Sequence, residues 1–155
     1  MSYLVVKWLH IVSASVLVGV GFGTAFYKWM ADRSGDLRVI VTVSRLVVLA
    51  DWIFTAQAVV IQLLTGLWLA TSAGYPITRG WIAYALGLYL AAGACWIPVV
   101  VLQYRMRDIA ATAHARGEAL PATYQRLRCI WFALGVPAFS AMLAIYALMV
   151  FKPTL

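Results

Sequence analysis

Four long apolar runs constrain the fold of this chain more than any other feature of its sequence. They cover residues 3–29, 46–71, 81–104 and 124–151, and a helix needs about 20 apolar residues to cross a bilayer. Of the 155 residues, 65% are apolar and only 11% are charged, whereas soluble domains contain about 25% charged residues. A soluble core could not bury this much apolar surface. The sequence therefore predicts one all-α membrane domain over residues 1–155, a bundle of four transmembrane helices.

The connections between the runs are expected at residues 31–36, 71–80 and 105–123. The second run continues upstream to Arg38, and a helix from Arg38 to Thr71 would be about 50 Å long, longer than the roughly 30 Å hydrocarbon core of a membrane. We therefore expect its first turns to project beyond the membrane. The third connection mixes charged residues with alanine, so we expect it to begin as a helical continuation that breaks near Gly117 and Pro121.

The basic residues predict the orientation of the bundle. Of the 12 Lys and Arg residues, nine fall on the side that carries residues 105–123, and the positive-inside rule places that side in the cytoplasm. Both termini are then periplasmic, and the protein is a multi-pass protein of the bacterial inner membrane, in contact with the lipid bilayer. Nucleic acid is not an expected partner, because the basic residues are not clustered on a soluble face. The three basic residues on the other side are Lys7, Arg79 and Lys152.

A stripe of polar residues runs along the second span. Asp51, Thr55, Gln62 and Thr65 share one helical face, and polar residues within a span face the bundle interior. The stripe either forms hydrogen bonds between helices or lines a cavity or proton pathway. We expect Asp51 to pair with a cation at the start of the fourth span, either Arg126 or Arg128.

His10 lies about two turns inside the first span. Segments 62–66, 84–87 and 142–146 are expected at a similar depth. His10 is either a core histidine, bonded to Ser13, a backbone carbonyl or Gln62, or an axial ligand of haem b. Such a haem would be five-coordinate, paired with methionine or another group, or shared across a dimer, because no second histidine lies at this depth. No metal site is predicted, and the spacing of the two cysteines, 95 and 129, argues against a disulfide.

Two ridges of small residues favour close packing of helices, either within the bundle or between protomers. The first span carries Ser15, Gly19 and Gly23 at intervals of four residues. The third span carries a similar ridge formed by Gly87, Ala91 and Cys95. A homo-oligomer and a membrane-protein partner are therefore both candidate assemblies.

Several short motifs add a resemblance that covers nearly the whole chain. KWLHI at Lys7–Ile11, Thr65-Gly66, Gly80-Trp81, WFALGVPAF at Trp131–Phe139 and the closing MVFKP are similar to a family of small bacterial four-helix inner-membrane proteins catalogued as a domain of unknown function. The chain also resembles, more distantly, HemJ-type protoporphyrinogen oxidases and CopD-type membrane domains. The HemJ-type resemblance implies a haem-related role for His10, although the third span has Tyr84 and no histidine.

Two functions follow as alternatives. One is a non-enzymatic assembly, interaction or accessory protein of the membrane, or a small-solute conduit along the polar stripe. The other is a haem-binding redox or tetrapyrrole-handling protein that uses His10. The sequence leaves open whether the protein is an enzyme.

Overall fold

A computed structural model describes residues 1–154, and these residues form helices with no strand among them. The α-helices are α1 (Ser2–Ser34), α2 (Leu37–Ala50), α3 (Ala56–Ser72), α4 (Gly80–Arg116) and α5 (Ala122–Phe151). A π-helical turn, Asp51–Thr55, joins α2 to α3, so that Leu37–Ser72 is one continuous helix. Four helices are therefore long and apolar enough to cross a membrane. This confirms the predicted class, an all-α membrane protein.

Local sequence accounts for the ends of the helices. Gly35 ends α1 in the left-handed conformation with φ of 69°, which glycine adopts at little cost. The Asp36 side chain then accepts a hydrogen bond of 2.8 Å from the backbone N–H of Arg38 and caps α2. Gly117 ends α4 with φ of 65°, and α5 begins directly after Pro121. The helical continuation and the break near Gly117 and Pro121 are thus confirmed.

The first predicted connection, residues 31–36, is wrong for most of its length. Residues 31–34 belong to α1, and only residues 35 and 36 connect the helices. Two contacts extend the helix. Ala31 is buried against the bundle, and Asp32 forms a buried ion pair with Lys28 one turn before it.

The helices pack as two pairs, α1 with α3 and α4 with α5. We call the end of the bundle that carries residues 35–36 and 117–121 the loop end, and the end that carries residues 1–7, 73–79 and 152–154 the terminal end. The pairs join tightly at the loop end, where α2 packs on α4. The buried core of this end comprises Ile40, Val41, Val99, Leu102, Met106, Ala110, Tyr124 and Trp131.

At the terminal end the two pairs separate and leave an open cavity of about 450 Å³, which we call the terminal cavity. Farther towards the loop end the pairs meet again. The rings of Phe22 on α1 and Phe139 on α5 are 5.6 Å apart, and the Tyr89 hydroxyl on α4 donates a hydrogen bond of 2.6 Å to the backbone carbonyl of Val59 on α3. These contacts join the two helix pairs on the loop-end side of the terminal cavity.

The glycine ridges do not mediate close packing between the helices described. A Cβ atom built on Gly19, Gly23 or Gly87 would meet no neighbouring atom of the described chain within 4 Å. Of the two alternatives left open by the sequence, close packing of these glycines within the bundle is not found among the described residues. Packing between protomers remains a prediction for both ridges.

Candidate functional site

A buried hydrogen-bond network between α1 and α3 surrounds His10. Thr65 Oγ1 lies 2.8 Å from His10 Nδ1, and Gln62 Nε2 lies 3.0 Å from His10 Nε2. Ser13, one turn after His10, donates to Gln62 Oε1 at 2.5 Å. All four residues are buried. The spacing of His10 and Ser13 on α1, and of Gln62 and Thr65 on α3, turns these side chains towards each other across the helix contact.

The network fixes the protonation of the imidazole. The Thr65 hydroxyl donates a hydrogen bond of 2.6 Å to the backbone carbonyl of Ile61, so its oxygen accepts a hydrogen bond from the N–H group at His10 Nδ1. The Nε2 lone pair then accepts a hydrogen bond from the Gln62 amide. His10 is thus a neutral imidazole with both ring nitrogens engaged. Of the partners expected from the sequence, Gln62 contacts the His10 ring directly. Ser13 lies 3.0 Å from the His10 backbone carbonyl, to which its hydroxyl donates, and it reaches the ring only through Gln62.

Gly66 allows the imidazole to lie directly against α3. A Cβ atom at this position would be 3.1 Å from His10 Cε1, closer than almost all Cβ contacts. The glycine therefore has a specific structural role that it does not share with Gly19, Gly23 or Gly87. In the sequence, this role of Gly66 is indicated by its position directly after Thr65, a residue of the polar stripe.

The His10 network forms part of the wall of the terminal cavity. His10, Gln62 and Gly66 line it, together with residues from each segment expected at this depth. The remaining wall is mostly apolar, and two basic residues, Lys7 and Lys152, complete the lining near the terminal end. Both lysines are exposed. Lining residues from α4 and α5 include Ala85, Leu86, Tyr89, Met142, Ile145 and Tyr146.

The other half of the polar stripe lies in a different environment. Asp51 and Thr55 occupy the π-helical turn, and Thr55 Oγ1 donates to Asp51 Oδ1 at 2.9 Å. The expected ion pair with Arg126 or Arg128 is wrong, because neither ion pair in residues 1–154 includes Asp51. The stripe is buried along its length, but it divides into the His10 network and a separate site at Asp51.

A third polar cluster was not found from the sequence. Lys28 Nζ donates to Asp32 Oδ1 and to the Tyr124 hydroxyl, and that hydroxyl donates to Asp32 Oδ1, each at 2.6 Å. The side chains of Lys28 and Asp32 are only 2% and 1% exposed. This Lys28 triad links α1 to α5 at the loop end. The i,i+4 spacing of Lys28 and Asp32 is the signal that the sequence offers, but Lys28 falls at the end of the first apolar run and Asp32 in the first expected connection.

No group of three or more His, Cys, Asp or Glu side chains among the described residues could hold a metal ion. Cys95 and Cys129 are both free thiols. The residues around His10 form a hydrogen-bonded polar wall beside a mostly apolar cavity.

Comparison with known proteins gives one match. The family model described as "Predicted integral membrane protein (DUF2269)" matches residues 4–153. No curated protein and no solved structure matches the chain, so the resemblance to HemJ-type and CopD-type proteins is not shown. The match covers nearly the whole chain, and the four apolar helices agree with its description. The chain belongs to the DUF2269 family of predicted integral membrane proteins.

Proposed function

We propose that the protein is a non-enzymatic accessory protein of the bacterial inner membrane that binds an anionic amphiphile in the terminal cavity. The observation that carries this proposal is the composition of the cavity wall. It is mostly apolar, and it has Lys7 and Lys152 near the terminal end. An acyl or ring system would lie against the apolar wall, and its carboxylate or phosphate would pair with the two ammonium groups.

The size and position of the cavity support a binding role. Pockets for small molecules have volumes of about 300–1,000 Å³ and are largely apolar with a few polar groups, and the volume of about 450 Å³ lies within this range. The cavity is not enclosed by the protein. A ligand could therefore enter from the membrane without unfolding a helix.

The His10 network supports binding over acid–base chemistry. Both ring nitrogens of His10 are held by protein side chains, so neither is free to transfer a proton to a bound molecule in this arrangement. The Gln62 amide and the Thr65 hydroxyl fix the imidazole as part of the wall. The charge asymmetry along the chain supports an orientation in which this cavity opens to the periplasmic half of the membrane.

Native mass spectrometry of the protein purified from its own membrane tests the proposal. We expect a bound anionic amphiphile on the wild-type protein and a much smaller adduct on the double variant Lys7→Gln/Lys152→Gln. The matched control is Arg79→Gln, because Arg79 is exposed at the same end of the bundle and does not line the cavity. An adduct of equal abundance in all three proteins would contradict the proposal.

The alternative, a haem held by His10, fits this arrangement poorly. An axial histidine coordinates iron through the lone pair of a ring nitrogen. The Nε2 lone pair of His10 accepts a hydrogen bond from the Gln62 amide, and the N–H group at Nδ1 donates a hydrogen bond to the Thr65 hydroxyl oxygen. Ligation would first require the Gln62 side chain to move away. We therefore expect no Soret band after haem is added to the purified protein. A Soret band that is lost in His10→Ala would support the haem function.

A further inference from the structure

A second cavity lies on the side of the bundle between the second and third spans. This groove has a volume of about 260 Å³, and we call it the Asp51 groove. Asp51 and Gln103 line it together with aromatic residues from both spans. Several of its apolar side chains are exposed on the surface of the bundle, including Trp52, Ile97 and Val101. In a membrane this groove is therefore accessible from the lipid.

Two buried oxygens at this groove lack hydrogen-bond partners. Within the described chain, Asp51 Oδ2 and Gln103 Oε1 each lack a hydrogen-bond partner. Both residues are only 6% exposed. The Gln103 side chain lies against the Asp51 carboxyl. Buried polar atoms normally have partners because desolvation without a hydrogen bond is costly. These two acceptors can be satisfied by a proton on Asp51 that is shared with Gln103, or by a positively charged or hydrogen-bond-donating group bound at the site.

The aromatic residues of the groove define the kind of cation that fits. Trp52, Trp96 and Tyr104 line it, and the Trp52 indole N–H donates to the Tyr104 hydroxyl, which holds these two side chains together across the groove. Indole and phenol rings attract organic cations through their π faces. A hydrated metal ion would gain little from this largely apolar wall, whereas an alkylated ammonium group would lie against the aromatic rings.

The backbone at this site is also unusual. Asp51 begins the π-helical turn, in the middle of an otherwise regular membrane helix. Turns of this type are rare and occur frequently at functional sites. A carboxyl group inside a membrane span is likewise a functional candidate by default. Neither ion pair within residues 1–154 includes this carboxyl group.

We infer that the Asp51 groove binds a lipophilic organic cation, an amine or quaternary ammonium compound, whose charge pairs with Asp51 and lies against Trp52. This inference is independent of the proposed function, because the Asp51 groove and the terminal cavity share no lining residue. Substitutions of Lys7 and Lys152 should therefore leave binding of the cation in the Asp51 groove unchanged.

Calorimetric titration of the protein in nanodiscs tests the inference. The probe is phenyltrimethylammonium, and its neutral isostere tert-butylbenzene, in which carbon replaces the charged nitrogen, controls for partitioning into lipid. We expect saturable binding of the cation and none of the isostere. Asp51→Asn should weaken binding at least about tenfold, which is about 1.4 kcal/mol. Asp108→Asn, the same change at an exposed carboxyl, should leave binding unaltered.

A second pair of variants keeps the test decisive if Asp51→Asn does not fold. Trp52 is 59% exposed, so Trp52→Leu should fold and should weaken binding at least about threefold through loss of the ring. Trp8 is 64% exposed and lies outside the groove, so Trp8→Leu is the matched control. Equal affinity for the neutral isostere, equal effects of Trp52→Leu and Trp8→Leu, or no saturable binding would overturn the inference.

Discussion

His10 packs directly on the α3 backbone at Gly66, where an added Cβ atom would lie 3.1 Å from His10 Cε1. This contact makes Gly66→Ala a sensitive probe of the His10 network. The methyl group should displace the imidazole, lengthen its hydrogen bonds to Gln62 and Thr65, and destabilise the protein by about 1–3 kcal/mol. Thermal unfolding in detergent measures the effect.

Gly87→Ala is the matched control, because a Cβ atom there meets no described neighbour within 4 Å. Replacing an unconstrained helical glycine by alanine stabilises a helix by up to about 1 kcal/mol. Opposite signs for the two variants would support the close contact at Gly66. Equal effects would show that His10 does not pack on this residue.

Gln62→Leu should be destabilising because it leaves His10 Nε2 without its hydrogen bond and also removes the acceptor of the Ser13 hydroxyl. A buried polar group left without a partner costs about 1–3 kcal/mol. Gln57→Leu makes the same change at an exposed position of the same span and should have little effect. SDS titration gives both free energies of unfolding, and similar values for the two variants would exclude the network as a stabilising element.

The Lys28 triad should be among the most sensitive sites in the chain. Lys28→Met leaves Asp32 buried and without its cation, a change that costs about 3–5 kcal/mol. The double variant Lys28→Met/Asp32→Leu should recover much of this loss, because replacing both members of a buried pair by apolar residues is often close to neutral. Asp108→Asn, which breaks the exposed pair with Arg107, should change stability by less than about 1 kcal/mol. A double variant no more stable than Lys28→Met would contradict this explanation.

The predicted orientation can be tested by cysteine labelling in intact cells. In a background with Cys95 and Cys129 replaced by alanine, Thr78→Cys should react with an impermeant maleimide, because Thr78 lies at the terminal end. Glu118→Cys, in the connection at the loop end, should react only after lysis. The reverse pattern would place the termini in the cytoplasm and contradict the positive-inside prediction.

The class of fold was predictable because membrane spans depend on local apolar length, and the helix breaks depend on glycine and proline. The site was predictable only in part. The periodicity of α3 showed that Gln62 and Thr65 share a face with Asp51, and the depth of His10 placed it near them. Periodicity does not determine which helix lies opposite. The division of the stripe into two sites therefore followed only from the packing of α1 on α3 and the π-helical turn.

The Lys28 triad also depends on helix packing that the local sequence does not determine. Lys28 and Asp32 have the spacing of an ordinary exposed helical pair, and they lie near the end of an apolar run, where basic residues usually face the membrane surface. Their burial depends on Tyr124, which is distant in sequence. The ridges of small residues show the opposite case. They favour close packing of helices, but Gly19, Gly23 and Gly87 have no close neighbour in the described bundle, because small residues permit close packing without requiring it.

The central claim is that the terminal cavity binds an anionic amphiphile through Lys7 and Lys152. The most direct measurement is the dissociation constant of spin-labelled stearate for the protein in nanodiscs. Compared with the wild type, Lys7→Gln/Lys152→Gln should bind about three- to tenfold more weakly, because each exposed ion pair contributes up to about 1 kcal/mol. Arg79→Gln should bind as the wild type does. Equal dissociation constants for all three proteins, or weakening by Arg79→Gln alone, would contradict the account.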